Sequence, residues 1–325
     1  MTKSDYYPEK PELIEYKAKA NLSLTIFSLV AFVMTFLLIF EEQFYATVGY
    51  LVIVLIIHEM GHFLAMKLFG YKNVRMLFIP LMGAFVQGKK SNYSEKQSLW
   101  VLIAGPFPGI LIGFLLYWYS ISVDPGHNSW LSEPALYFLL LNIINLLPLD
   151  PLDGGQMFKL FVRKKNEFYL MVFALAASLL LIFAGVYFNL TIRTSLLFNL
   201  MVIFGFLMAF RVRALQKRYQ MHQELTHEKV NYATTYKLLS NRDFAKIKSV
   251  VMEYTPALKK FKDQVPEEEF DPVIASQVNN VLVTPMKRDA SIFFKVLILI
   301  FWVLAFCSPF ILAAILGIKW WMNVI

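Results

Sequence analysis

One cysteine in 325 residues leaves little room for sulfur chemistry. Cys307 lies inside an apolar run, so a disulfide within one chain and a zinc site of thiolates are both excluded. Lysine and arginine are missing from two short stretches, 41–43 and 122–134. Glycine is missing from the polar stretch 211–290, all 80 residues of it. Carboxylates are scarce within the apolar runs, which limits the groups that could hold a metal or handle a proton there.

Apolar side chains are what the chain has in excess. They make up 58% of it, with a mean hydropathy of +0.54, against about 45–50% in a soluble domain. Runs of membrane-spanning character occur at Leu22–Phe40, Phe44–Met66, Leu99–Ile121, Ala135–Leu149, Phe168–Leu190, Ser195–Phe210 and Val296–Ile318. These predict about seven spans in an all-α polytopic membrane protein. The first run is too long, and begins too far from residue 1, for a cleaved signal peptide, and it reads as a retained anchor.

The net charge of +8 is distributed by side. With the N-terminus in the cytosol, four Lys and Arg precede the first span, five fall in 71–97, four in 158–167 and fourteen in 211–290. The opposite loops carry none, apart from Arg193 in the 191–194 turn. This follows the positive-inside rule. The basic excess therefore reads as topology and contact with the lipid bilayer; no nucleic-acid motif accompanies it. The polar stretch reads as cytosolic helices, with apolar residues spaced by three and four from Phe244 through Ile247, Val251, Tyr254, Leu258 and Phe261. Pro256 predicts a kink or split. The acidic EEEFD at 267–271 reads as a solvated connection, and His222 and His227, five apart, as a poor metal pair. A hairpin packed on itself is the plain reading of this region, and a partner-binding groove the alternative. Between the second and third spans, NVRMLFIPLMGAFVQGKK at 73–90 is apolar but punctuated by Pro80, Gly83 and Gly88. This predicts a small β-hairpin, dipping into the protein-lined part of the membrane because lipid offers backbone groups no partner.

Within the second span stands His58-Glu59-Met60-Gly61-His62. Histidines four apart share one helix face, so both imidazoles can reach one ion. Glu59 lies beside them, where it can take a proton from an activated water. This is the H-E-x-x-H pattern of zinc-dependent hydrolases. A catalytic zinc site needs a third protein ligand and an open position. With no usable cysteine or third histidine in the core, a carboxylate must serve. Glu41, Glu42 and Asp124 lie on the opposite side, which leaves Asp150 and Asp153 in NIINLLPLDPLDGGQ. His58 lies nine residues before Lys67, about 13 Å at helical rise, and Asp153 six before Lys159, about 9 Å, at one membrane face.

The two motifs together resemble the site-2 protease family of intramembrane zinc metalloproteases. The family pairs H-E-x-x-H with N-x-x-P-x-x-x-x-D-G, here Asn145 to Pro148 and then Asp153-Gly154. AGP at 104–106 is similar to the glycine-proline motif of its intervening span, and GAFV at 83–86 to its membrane-dipping hairpin. The resemblance covers about residues 44–165. It implies His58, His62 and Asp153 as ligands of one zinc ion, Glu59 as the catalytic carboxylate, and Asn145 as a group that holds substrate or the tetrahedral intermediate. Asp150 stands where the family commonly has proline, which puts a second carboxylate nearby.

Five regions follow: an N-terminal segment and anchor, 1–43; a catalytic membrane core, 44–165; two further spans, 166–210; the cytosolic helical region, 211–290; and a last span and tail, 291–325. The function expected is regulated intramembrane proteolysis, the hydrolysis of peptide bonds in membrane-spanning substrates. The expected site faces the cytosolic side, in a multi-pass protein of a bacterial cytoplasmic membrane. An edge strand near 82–87, with Gly83 and Phe85, would hold an unwound substrate segment by strand addition. The alternatives are an inactive member acting as a membrane chaperone or regulator and, less favoured, a transporter.

Overall fold

The structure is a computed structural model, and it describes residues 7–14, 22–39, 41–42, 45–80, 83–90, 92–123, 130–149, 152–161, 167–191 and 196–315. Asp124, Asp150 and the tail from 316 onward lie outside the described residues. The chain divides into two compact units: Ala18–Arg163 with Lys287–Ile325, and Met1–Lys17 with Lys164–Met286.

The first unit opens with α1, Leu22–Ile39, and α2, Tyr45–Leu68. Gly70 closes α2 with a left-handed backbone, φ 74°, as expected where a helix must turn out at its end. The predicted hairpin follows: β1, Lys72–Ile79, pairs antiparallel with β2, Gly83–Lys89. The outer edge of β1 is covered by α1. Thr25 Oγ1 donates to the Met76 carbonyl at 2.7 Å, and the Phe78 N–H donates to Ser28 Oγ at 3.2 Å. Side-chain hydroxyls here satisfy backbone groups that hydrocarbon could not. Phe32, Phe36, Val48, Met76 and Phe78 pack between these elements.

The expected third span is broken. It runs as α3, Glu95–Ala104, and α4, Pro106–Val123, with Gly105 between them. Pro106 supplies no N–H and fits a first helical position, so the chain restarts rather than continues. Ser94 caps α3 by accepting from the Gln97 N–H at 3.1 Å. Next come α5, Ser132–Asn145, and α6, Asp153–Phe161. Pro148 prevents continuation of α5 and restricts Leu147 before it.

The second unit contains α7, Glu167–Thr191, and α8, Leu196–His227, which pack side by side. The sixth apolar run does not end at Phe210. It continues without interruption into the polar stretch as one 32-residue helix. Helix formation needs no change at a polarity boundary, because Arg211–His227 are good helix formers once lipid no longer restricts them. Then α9, Asn241–Tyr254, and α10, Pro256–Lys262, split at the expected proline, with Ser240 capping α9. The acidic stretch is not a solvated connection. It forms the first turn of α11, Glu267–Val281, with three glutamates at the positive end of the helix and Phe270 only 1% exposed. Leu225, Ile247, Phe270, Ile274 and Val278 form the centre of an apolar core, and Leu13 packs against it from the N-terminal segment. His222 is buried there, stacked on Tyr232 with ring centroids 4.5 Å apart.

The last helix, α12, Ile292–Ile315, belongs to the first unit. Among the described residues, four helices are long and apolar enough to cross a membrane: Leu22–Ile39, Tyr45–Leu68, Glu95–Val123 taken through its break, and Met171–Thr191. Ile292–Cys307 is a shorter apolar helix. The architecture is thus mostly helical, with a small two-stranded sheet and several apolar helices. Of the seven expected spans, these four meet the length and composition of a crossing helix.

Candidate metal centre

The site is assembled from α2, α3, α5 and α6, all in the first unit. His58 and His62 lie one turn apart on α2 and are buried, with Glu59 beside them at 5% exposure. Asp153, the first residue of α6, meets both: its Oδ2 is 3.0 Å from His58 Nε2 and 3.1 Å from His62 Nε2. The two Nε2 atoms are 3.2 Å apart. Asp153 is thereby brought to the histidines as expected.

What the third atom of each contact does is set by the far side of the imidazoles. His62 Nδ1 faces the Val101 carbonyl of α3 at 2.8 Å, so Nδ1 carries the proton and donates. His58 Nδ1 faces Asn142 Oδ1 at 2.8 Å, and the Asn142 amide nitrogen donates to the Phe138 carbonyl at 2.7 Å. That second bond fixes which end of the amide faces the ring, so His58 Nδ1 is also the donor. In the neutral rings both Nε2 atoms therefore present lone pairs, as the carboxylate does. Three lone pairs then converge on one point.

A metal cation placed among them would be a common partner for all three. The separations fit: three ligands around tetrahedral zinc, at about 2.0–2.2 Å from the ion, lie about 3.3 Å from one another. Among the described residues this is the one cluster of three or more His, Cys, Asp or Glu side chains that could hold a metal. Carbonyl and amide partners behind ligating histidines are the usual way in which tautomer and ring orientation are fixed. Glu59 Oε2 is buried and has no hydrogen-bond partner among the described residues. A carboxylate left in that state is placed to accept a proton.

Four glycines make the convergence sterically feasible. A Cβ on Gly61 would lie 1.8 Å from the Ala104 carbonyl oxygen, so α2 and α3 touch backbone to backbone at the break. A Cβ on Gly105 would lie 2.2 Å from His62 Nε2, and one on Gly109 2.1 Å from the Asn142 amide nitrogen. A Cβ on Gly154 would lie 2.0 Å from the Leu146 carbonyl oxygen. AGP thus leaves room for an imidazole as well as breaking the helix.

Sequence reasoning missed Asn142. It is wholly buried and holds His58, while Asn145, three residues on, ends α5 half-buried. The available signal was that an asparagine in LLLNIIN is itself a polar group in an apolar helix, a functional candidate by default. Gly83 and Phe85 lie on β2. Gly83 has φ 95° and open space where a Cβ would stand. Any side chain there would meet backbone strain and no clash.

Residues 46–128 match the model of peptidase family M50. Stage IV sporulation protein FB of Bacillus subtilis is 30% identical over 118 residues, 36% of this chain and 41% of that protein. A zinc metalloprotease of Methanocaldococcus jannaschii is 33% identical over 115 residues, 34% of this chain and 32% of that protein. The chain thus spans under half the length of either relative. A solved structure, the site-2 protease from Methanocaldococcus jannaschii, aligns with 58% of this chain and 86% of its own at 22% identity and a TM-score of 0.42. The matched segment carries His58, Glu59, His62, Val101 and Gly105 and stops short of Asn142 and Asp153. The resemblance read from the motifs is borne out: residues 46–128 are similar to peptidase family M50, the site-2 protease family.

Proposed function

We propose that this protein is an intramembrane zinc metalloprotease that hydrolyses peptide bonds in or near transmembrane segments of other proteins. The observation that carries this reading is the convergence of His58 Nε2, His62 Nε2 and Asp153 Oδ2 within 3.2 Å beside the unpartnered Glu59. His58, His62 and Asp153 would hold one zinc ion. Zinc, when bound, supplies an electrophile that acidifies water and polarises a carbonyl.

The chain's own residues do the rest. Val101 and Asn142 keep both imidazoles in the ligating tautomer. Glu59 Oε2 accepts the proton of the attacking water and returns it to the leaving amide nitrogen, as general base and then general acid. The apolar helices around the site exclude bulk water. Asn145 is proposed to steady the substrate carbonyl from the end of α5.

A helical substrate hides its carbonyls in its own hydrogen bonds, so it must unwind before attack. β1 is bounded by β2 on one side and by α1 on the other, and β2 is the last strand of the sheet. Its far edge, with Gly83 and Phe85, can therefore take an extended segment by strand addition. Phe85 is 38% exposed, as a docking side chain would be. The setting proposed is regulated proteolysis in a bacterial cytoplasmic membrane, with the site toward the cytosol.

The test uses purified full-length protein and single-span peptides in lipid. Wild type is expected to cleave and to contain zinc, and Glu59→Gln to contain zinc without cleaving. Equal cleavage by both proteins, or zinc in neither, ends the protease reading. Binding of peptides without cleavage by zinc-loaded wild type would favour the chaperone alternative.

A further inference from the structure

The last helix lies far along the chain from both motifs, yet it packs on the two elements that orient the histidines. Lys295 Nζ pairs with Glu95 Oε1 at 2.5 Å, and Phe294 packs on Trp100 with ring centroids 5.7 Å apart. These contacts join α12 to α3, whose Val101 carbonyl sets His62. On the other side, Trp302 Nε1 donates to the Leu146 carbonyl at 2.7 Å.

Leu146 is the first residue beyond α5 and is 2% exposed. Its N–H bonds back to the carbonyls of Asn142 and Ile143, at 3.2 and 3.0 Å. Its own carbonyl is one of those that a helix end leaves without an intrahelical partner. In apolar surroundings such a group needs one, and the indole supplies it. The same carbonyl is the atom that a Cβ on Gly154 would meet at 2.0 Å. Gly154 adjoins Asp153, and Leu146 lies one helical turn beyond Asn142. One carbonyl oxygen is therefore the joint between α5, which holds His58, and α6, which presents Asp153. The indole ring itself packs among both the Leu99–Met157 and the Leu139–Leu146 side-chain clusters.

We propose that Trp302 is a positioning residue of the metal centre: its N–H holds the Leu146 carbonyl, and through it the α5–α6 bend that sets Asp153 against His58 and His62. The proposal rests on the metal-centre reading above. It assigns to the last helix, outside the matched family segment, a share in the geometry of the site.

The test titrates cobalt(II) into metal-free full-length wild type and Trp302→Phe. Affinity is read by competition with a chelator, and coordination by the visible d–d bands. The variant keeps an apolar ring and loses the donor. It is expected to bind cobalt about 10–100-fold more weakly, the usual effect of removing a supporting contact. Its bands should be weaker and shifted, while its helical content by circular dichroism stays that of wild type. Wild-type affinity and an unchanged spectrum in Trp302→Phe overturn the proposal.

If that variant does not fold, wild type decides the matter. Labelled with 5-fluorotryptophan, with resonances assigned by Phe substitutions at the other five tryptophans, it should show the residue-302 signal move when zinc is added. A signal that stays in place overturns the proposal. Wild type that binds neither cobalt nor zinc overturns the metal-centre reading itself, and this proposal with it.

Discussion

The core with the candidate metal centre and the helical region at 211–281 bury side chains for opposite purposes. In the core the most enclosed groups include His58, Glu59, His62 and Asn142, held where backbones approach through Gly61, Gly105, Gly109 and Gly154. In the helical region the centre is Leu225, Ile247, Ile274 and Val278, each 0% exposed, and 211–290 has no glycine at all. Close backbone contact is needed where polar atoms must meet at fixed distances. Ordinary apolar side chains suffice where the task is to hold helices together. The first region is built for geometry and the second for stability.

Substitutions can break this contrast or sharpen it. The largest effect is expected at the site. Glu59→Gln should lower peptide cleavage about 10²–10⁴-fold, and His58→Ala or Asp153→Ala should remove bound zinc as well, measured by metal analysis beside turnover. Next is Ile274→Ala in the helical region, which should cost about 2–5 kcal/mol of its stability in denaturant melts and leave zinc affinity unchanged. A shift in zinc affinity there would erase the division of labour. Asn142→Ala should weaken zinc binding about 10–100-fold, or about 1.4–2.8 kcal/mol, by releasing the His58 ring. The melting of the helical region should not respond. The smallest effect belongs to the half-buried pair of Lys246 and Glu228, 3.3 Å apart at the surface of the helical region. Lys246→Met should change stability by about 0.2–1 kcal/mol, and less in high salt.

Sequence made the core's local chemistry legible and left its three-dimensional assembly less so. His58 and His62 share a face by helical period alone. Asp153 emerged because the apolar half offers almost no other carboxylate. Pro256 marked the split between α9 and α10, and Pro80 and Gly83 marked the hairpin. Asn142 was passed over for Asn145 because hydropathy does not tell which face of α5 meets the site; only packing against Gly109 decides that. The break at Gly105 was hidden in a run that is apolar on both sides of it. EEEFD looked like a connection by charge, though the same glutamates favour a helix start. Span counting faltered where apolar runs were short or passed into polar helix, since hydropathy measures solvent preference and says nothing of where a helix stops.

The uninterrupted course of α8 has a mechanical consequence. Thirty-two residues at about 1.5 Å each make a rod of about 48 Å, longer than the hydrocarbon thickness of about 30 Å. Its apolar end packs with α7, and its polar end carries Leu225 in the helical core. No slack separates the two. A load on the helical region, whether a partner docking or a neighbour pushing, reaches the α7–α8 pair as leverage instead of being absorbed by a tether.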